Sequence, residues 1–169
     1  MNLDHWTRGY TQAELDDAQA KFGLVFPPDL VALLRERRPV RGHDWADEAA
    51  IRSMLERPLE GLLFDIEHNA LWWSEWGERP DHPEARAEVL RSVLSRAPKL
   101  IPLLSHRYLP EQPHESGNPV FSVYQADVIH YGANLEDYFE REFNGWGHRP
   151  WPDQIRYVPF WSDLVERNC

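Results

Sequence analysis

The stretch VFSVYQADVIHYG, residues 120–132, decides the fold class. VFSVYQ (120–125) and DVIHYG (127–132) are rich in β-branched and aromatic residues, and each reads as a strand. They lie close enough to pair as an antiparallel hairpin across Ala126. Closely spaced strands of this kind, preceded by helical patterns, read as α+β and not as a parallel α/β sheet. The predicted architecture is a set of N-terminal helices packed on a twisted antiparallel sheet of about four to six strands, with a further helix after the last hairpin.

Working outward, Asn134 caps that last helix, which carries Leu135, Tyr138, Phe139 and Phe143 on one side. Upstream, LIPLLSHRYL (100–109) reads as one strand, and a helix capped by Asp81 carries Val89, Leu90, Val93, Leu94 and Ala97. In LLFDIEHN (62–69), Leu62, Phe64 and Ile66 alternate with Leu63, Asp65 and Glu67, a strand pattern. Before it, Asp44 caps a helix reaching Arg57, where Pro58 is expected to stop it. At the N-terminal end, Thr11 and Glu14 form a T-x-x-E capping box, with Tyr10 and Leu15 as its hydrophobic staple. Leu15, Ala18 and Phe22 share a helical face, and Gly23 supplies the stop. A second helix follows LVFPP, with Leu30, Leu33 and Leu34 as its buried stripe and Pro39 as its end. No internal repeat or linker divides the chain. One domain is expected over 1–169, with a core over about 11–143 and a Trp/Pro-rich extension over 144–169 that docks on it.

The chain has 169 residues, a formal charge of -10 and eight Trp. That charge argues against direct nucleic-acid binding, which needs clustered Lys and Arg, and either favours a basic partner or simply keeps the protein soluble. The basic run RERRPVR (35–41) reads as a helix C-terminus followed by a solvated turn. The one Cys, Cys169, leaves no disulfide within the chain. The opening MNLDHWTRGYTQ has no apolar run of signal-peptide length, and no stretch of about 18 apolar residues follows. A cytoplasmic protein without membrane contact is therefore expected, as a monomer or weak homodimer.

Polar and aromatic residues concentrate in three stretches, DIEHNALWWSEWG, SHRYLPEQPHESGNP and the hairpin itself. His106 and His114 with Asp65 or Glu67 have the donor types of a metal site, but no compact ligand spacing such as H-E-x-x-H. On a strand, Asp65 and Glu67 would lie about 7 Å apart on one face, a separation used by paired-carboxylate hydrolases. Such pairs normally converge from different elements and no second motif supports this one, so a solvated or Arg-paired strand face is the favoured reading. Ser122 is not in a G-x-S-x-G elbow, and neither a Walker loop nor a G-x-G-x-x-G run is present. No cofactor is implied. Trp72, Trp73 and Trp76 cannot all enter one core, so partial exposure is expected, either as anchors in a binding surface or as cover for the sheet edge.

The capped helix, the F-G-L-V-F-P-P-D-L-x-x-L-L run from Phe22 to Leu34, the Trp patch from Trp72 to Trp76 and the hairpin followed by a helix resemble the SUKH superfamily. That group includes Smi/Knr-type regulators of fungal cell-wall assembly and many bacterial immunity proteins. The resemblance spans roughly Thr11 to Phe143. It departs after the second helix, where R-R-P-V-R-G stands in place of an N-G-G-like turn. It implies helices on a twisted antiparallel sheet, no catalytic residue, and binding of another protein, in bacteria often a co-encoded toxin. The residues expected to contact the partner are Asp65, Glu67, Trp72, Trp73, Trp76, His106, Arg107, His114, Asn118 and Gln125. The alternatives are a housekeeping interaction module, or a small hydrolase using His106, His114, Asp65 and Glu67.

Overall fold

The computed structural model describes residues 3–147 and 149–168, so Cys169 falls outside the described residues. The fold is α+β, as predicted. A 3-10 turn at Leu3–His5 leads into β1 (Trp6–Arg8), α1 (Gln12–Phe22), α2 (Pro28–Glu36), β2 (Arg37–Pro39) and the long α3 (Glu48–His68). After a second 3-10 turn at Ser74–Trp76 come α4 (Pro83–Arg96), β3 (Leu100–Pro102), β4 (Arg107–Pro110), β5 (Val120–Tyr124), β6 (Asp127–Gly132), α5 (Leu135–Asn144) and α6 (Trp161–Arg167). Strands β3-β4-β5-β6 form one antiparallel sheet in that order, and β1 and β2 form a separate two-stranded ribbon.

Local chemistry explains the helix ends that were read correctly. Thr11 accepts the Glu14 N–H at 3.1 Å while the Glu14 carboxylate accepts the Thr11 N–H at 2.7 Å, which completes the capping box. Gly23 ends α1 at φ 63°, a left-handed conformation that suits glycine. Asn134 accepts the Asp137 N–H at 2.9 Å at the start of α5.

Residues 62–69 correct the strand expectation, because they are the last turns of α3. The helix starts one turn later than expected, at Asp47, whose side chain accepts the Ala50 N–H at 3.1 Å. It then runs straight through Pro58. A proline in a helix interior removes the N–H that would bond the carbonyl four residues back, here that of Met54. The Tyr108 hydroxyl, from β4, donates to that Met54 carbonyl at 2.7 Å and takes the missing partner's place. Ile51, Met54, Pro58, Leu62, Asp65 and Ile66 are buried at helical spacing, while Phe64 turns to solvent.

Three smaller corrections follow. LIPLLSHRYL is a hairpin, not one strand: β3 and β4 pair Ile101 with Leu109, and the chain turns at Ser105, which adopts φ 44°. α4 is capped by His82 ahead of Pro83 and not by Asp81. α2 ends at Glu36, before Pro39, because Arg37–Pro39 pairs with Trp6–Arg8.

The sheet is buried on alternate faces by two clusters. Ile101, Leu109 and Val120 join Leu15, Phe26, Leu30, Trp45, Tyr138 and Phe139. On the other face Tyr108, Phe121, Val123 and Val128 join Leu62, Ile66, Leu90, Phe160, Trp161 and Leu164. The C-terminal segment thus closes the second cluster, and the Trp161 indole N–H donates to the Pro98 carbonyl at 2.8 Å. No helix among the described residues is long and apolar enough to cross a membrane.

Candidate functional site: an open sheet face

The sheet's first face is covered only in part. Register places Arg107 beside Ser122 and Ser122 beside Ile129, with Tyr124 two residues further along β5 and Tyr131 two residues further along β6. Among the described residues no helix covers the turn end of this face, where Tyr124 is 63% exposed and Ile129 41%, while Tyr131 packs on Tyr138 of α5 at 5.9 Å. The Arg107 guanidinium lies 3.9 Å from the centre of the Tyr131 ring, and the His106 ring meets Tyr124 edge-on at 6.2 Å. Trp146, 42% exposed, extends the surface by packing on Tyr131 at 5.8 Å.

A buried ion pair holds Trp146 in place. The Arg141 guanidinium donates to Asp137 at 2.8 Å, to the Arg149 carbonyl at 2.9 Å and to the Trp146 carbonyl at 3.2 Å, and stacks on Trp151 at 3.9 Å. Burial alone would raise the Asp137 carboxyl. The Arg141 hydrogen bond, the Ala133 N–H and the charges of Arg141 and Arg149 outweigh it and hold the group below the usual carboxylate range.

His106 is held neutral. Its Nε2 accepts an N–H from Arg107 at 2.7 Å, which a protonated ring cannot do, and its Nδ1 faces the Ser105 hydroxyl at 3.1 Å. Burial, then the charges of Arg107 and Arg57, push its pKa below the ordinary histidine value. The face therefore presents tyrosine, isoleucine, tryptophan, a neutral imidazole and one guanidinium. That mixture suits recognition of a protein surface through apolar anchors and directional hydrogen bonds.

Of the ten residues singled out from sequence, this face holds His106 and Arg107. Gln125 lies at its edge, in the β5–β6 turn at φ 55°. The others, apart from the exposed His114, work within the fold. Asp65 is buried on α3 and accepts the Ala126 N–H at 2.7 Å and the Asn69 amide at 2.6 Å, which pins the hairpin turn to the helix. Gly61, one turn earlier, permits this docking, since a Cβ there would stand 2.9 Å from Gln125 Cα. Glu67 accepts two hydrogen bonds from Arg86 at 2.7 Å, which hold its carboxyl below the usual range. Both carboxylates are engaged on different sides of α3, so the same-face strand pair does not exist.

Trp72, Trp73 and Trp76 form an intramolecular clamp. Trp76 packs on Trp72 and Trp73, both at 5.2 Å, and Trp73 packs on Phe160 at 5.4 Å. From α6, Arg167 covers the Trp73 ring at 3.7 Å and pairs with Glu75. Asn118 is buried and donates to the Pro110 and Pro113 carbonyls while accepting from Arg156, which shapes the β4–β5 loop. His114 is exposed on that loop. His106, His114, Asp65 and Glu67 are not brought together, and among the described residues no His, Cys, Asp or Glu group could hold a metal ion. The basic run is likewise partly absorbed, with Arg37 over Trp6 at 4.2 Å and Arg38 over Tyr10 at 4.5 Å.

Sequence reasoning missed Tyr124, Ile129, Tyr131 and Trp146 as one surface. The signal was present in the period-2 alternation of the hairpin, which puts Tyr124, Ile129 and Tyr131 on one face. Comparison of the chain with protein-family models, curated proteins and solved structures finds no match.

Proposed function

We propose that this protein is a non-enzymatic binding protein of the immunity type, which neutralises a co-encoded toxin by covering a functional surface of it. The single observation that carries the binding role is the sheet face on which Tyr124 and Ile129 are exposed beside the half-buried Tyr131, Arg107 and His106. Exposed aromatics beside arginine are enriched where binding energy concentrates. The resemblance to the SUKH superfamily supports the immunity reading, and the charge of -10 supports a basic partner. Of the residues on which a hydrolase would depend, Glu67, Asp65 and His106 are engaged by Arg86, Ala126 and Arg107, and His114 stands apart from them on the β4–β5 loop.

The test uses the purified toxin-domain product of a neighbouring gene. Its affinity for the wild-type chain and for a Tyr124→Ala, Ile129→Asp variant is measured by surface plasmon resonance. Both positions are exposed, so the variant folds, as checked by circular dichroism. At least a tenfold loss of affinity is expected. Unchanged affinity would remove the sheet face from the binding role.

A further inference from the structure

A cleft of about 470 Å³ opens elsewhere on the molecule, between the N-terminal ribbon, α2 and one side of α5. It shares no lining residue with the sheet face. Its floor is aromatic. His5 stacks on Phe143 with ring centres 4.3 Å apart and planes 2° from parallel. Trp6 meets Phe143 edge-on at 5.3 Å and Phe139 at 4.9 Å.

The rim carries Glu136, Glu140 and Asp29 against one arginine, Arg37. Asp29 is already turned to the fold, accepting the Gly117 and Leu30 N–H groups at 2.9 and 3.0 Å. Glu136 and Glu140 are different. They sit one turn apart on α5, on the same side as Phe139 and Phe143, where like charges repel. Among the described residues neither is in a salt bridge, and Glu140 bonds only the Asn144 amide, at 2.8 Å. Both are exposed. A pair of carboxylates in no salt bridge among the described residues thus borders an aromatic floor on which one face of Phe143 is taken by His5 and one face of Trp6 by Arg37. The ribbon displays the same chemistry within the chain, because the Arg37 guanidinium lies over Trp6 at 4.2 Å.

We propose that this cleft receives an arginine or lysine side chain from a protein partner, its cation held between Glu136 and Glu140 and its alkyl stem laid on Phe143 and Trp6. The volume lies within the range of pockets that enclose a ligand of roughly 300–1,000 Å³, and admits the flanking peptide as well as the side chain. The net charge of -10 draws such a segment in. The site stands on its own geometry and does not require the partner to be a toxin.

The experiment titrates the full-length protein into a fluorescein-labelled arginine–glycine nonapeptide at low salt and reads anisotropy. Wild type is expected to bind, and the same peptide with citrulline in place of arginine, which removes the charge and keeps the shape, is expected to bind at least tenfold more weakly. Glu136→Gln with Glu140→Gln should weaken binding of the arginine peptide at least tenfold without changing the melting temperature. Tyr124→Ala with Ile129→Asp should leave it unchanged, which separates this site from the sheet face. Free agmatine should compete only at far higher concentration. Failure of the wild type to bind, equal affinity for the citrulline peptide, or full affinity in the double glutamine variant would overturn the proposal. Agmatine binding as tightly as the peptide would overturn the protein segment as its occupant.

Discussion

Tyr108 shows how one hydroxyl sustains an element far from it in sequence. Its O–H partners the Met54 carbonyl that Pro58 leaves without a helical donor. Tyr108→Phe keeps the ring in the core but leaves a buried carbonyl unpaired, a cost of about 1–3 kcal/mol. A fall of several degrees in Tm, read by circular dichroism, is expected. His106 and His130 act through pH. The first accepts a hydrogen bond from Arg107, and the second lies tilted against Phe121 at 5.2 Å with its buried Nε2 unpartnered among the described residues. Burial lowers both pKa values, with the charges of Arg107 and Arg57 adding at His106 and Glu166 opposing at His130. The unfolded chain then binds more protons than the folded one below the ordinary histidine value of about 6.5. Stability is therefore complete above that pH and declines as pH falls below it. Between pH 7.5 and 5.5 the Tm of wild type should drop more than that of a His106→Gln, His130→Phe variant, and equal slopes would refute the linkage.

At the scale of elements, the C-terminal segment behaves as part of the core. Val158, Phe160, Trp161 and Leu164 are 0–7% exposed and close the cluster under α3 and α4. The tryptophan clamp and Arg167 hold α6 from outside. At about 1.5–3 kcal/mol per buried side chain, these four contribute roughly 6–12 kcal/mol. That is comparable to the whole stability of a domain, about 5–15 kcal/mol. Truncation after Asn144 is expected to abolish the cooperative thermal transition in near-ultraviolet circular dichroism. A truncated chain that still melts sharply would show that the segment is dispensable.

For the molecule as a whole, charge governs encounter. For the basic partner we propose, an excess of ten negative charges would steer the approach, and that steering decays as salt shortens the screening length to about 8 Å at physiological ionic strength. The association rate with a basic partner, measured by stopped-flow fluorescence, should fall by roughly an order of magnitude between 20 and 300 mM salt, while the dissociation rate changes little. An association rate indifferent to salt would remove the electrostatic part of the proposal.

The sequence by itself determined what short-range chemistry controls. The Thr11–Glu14 box, the Gly23 stop, the Asn134 cap and the β5–β6 hairpin all rest on contacts within a few residues, and all were legible. The α+β class followed from the hairpin. What only the tertiary structure decided rests on partners 19 to 61 positions away. LLFDIE satisfies both a strand and a helix pattern, and it is helix because Tyr108 repairs the ladder at Pro58 and the hairpin turn docks on Gly61 and Asp65. The same docking turned Asp65 from a candidate contact into a structural acceptor, as Arg86 did for Glu67. Polar side chains show in sequence that they need partners, but only the packed chain chooses between a neighbour within the fold and one outside it.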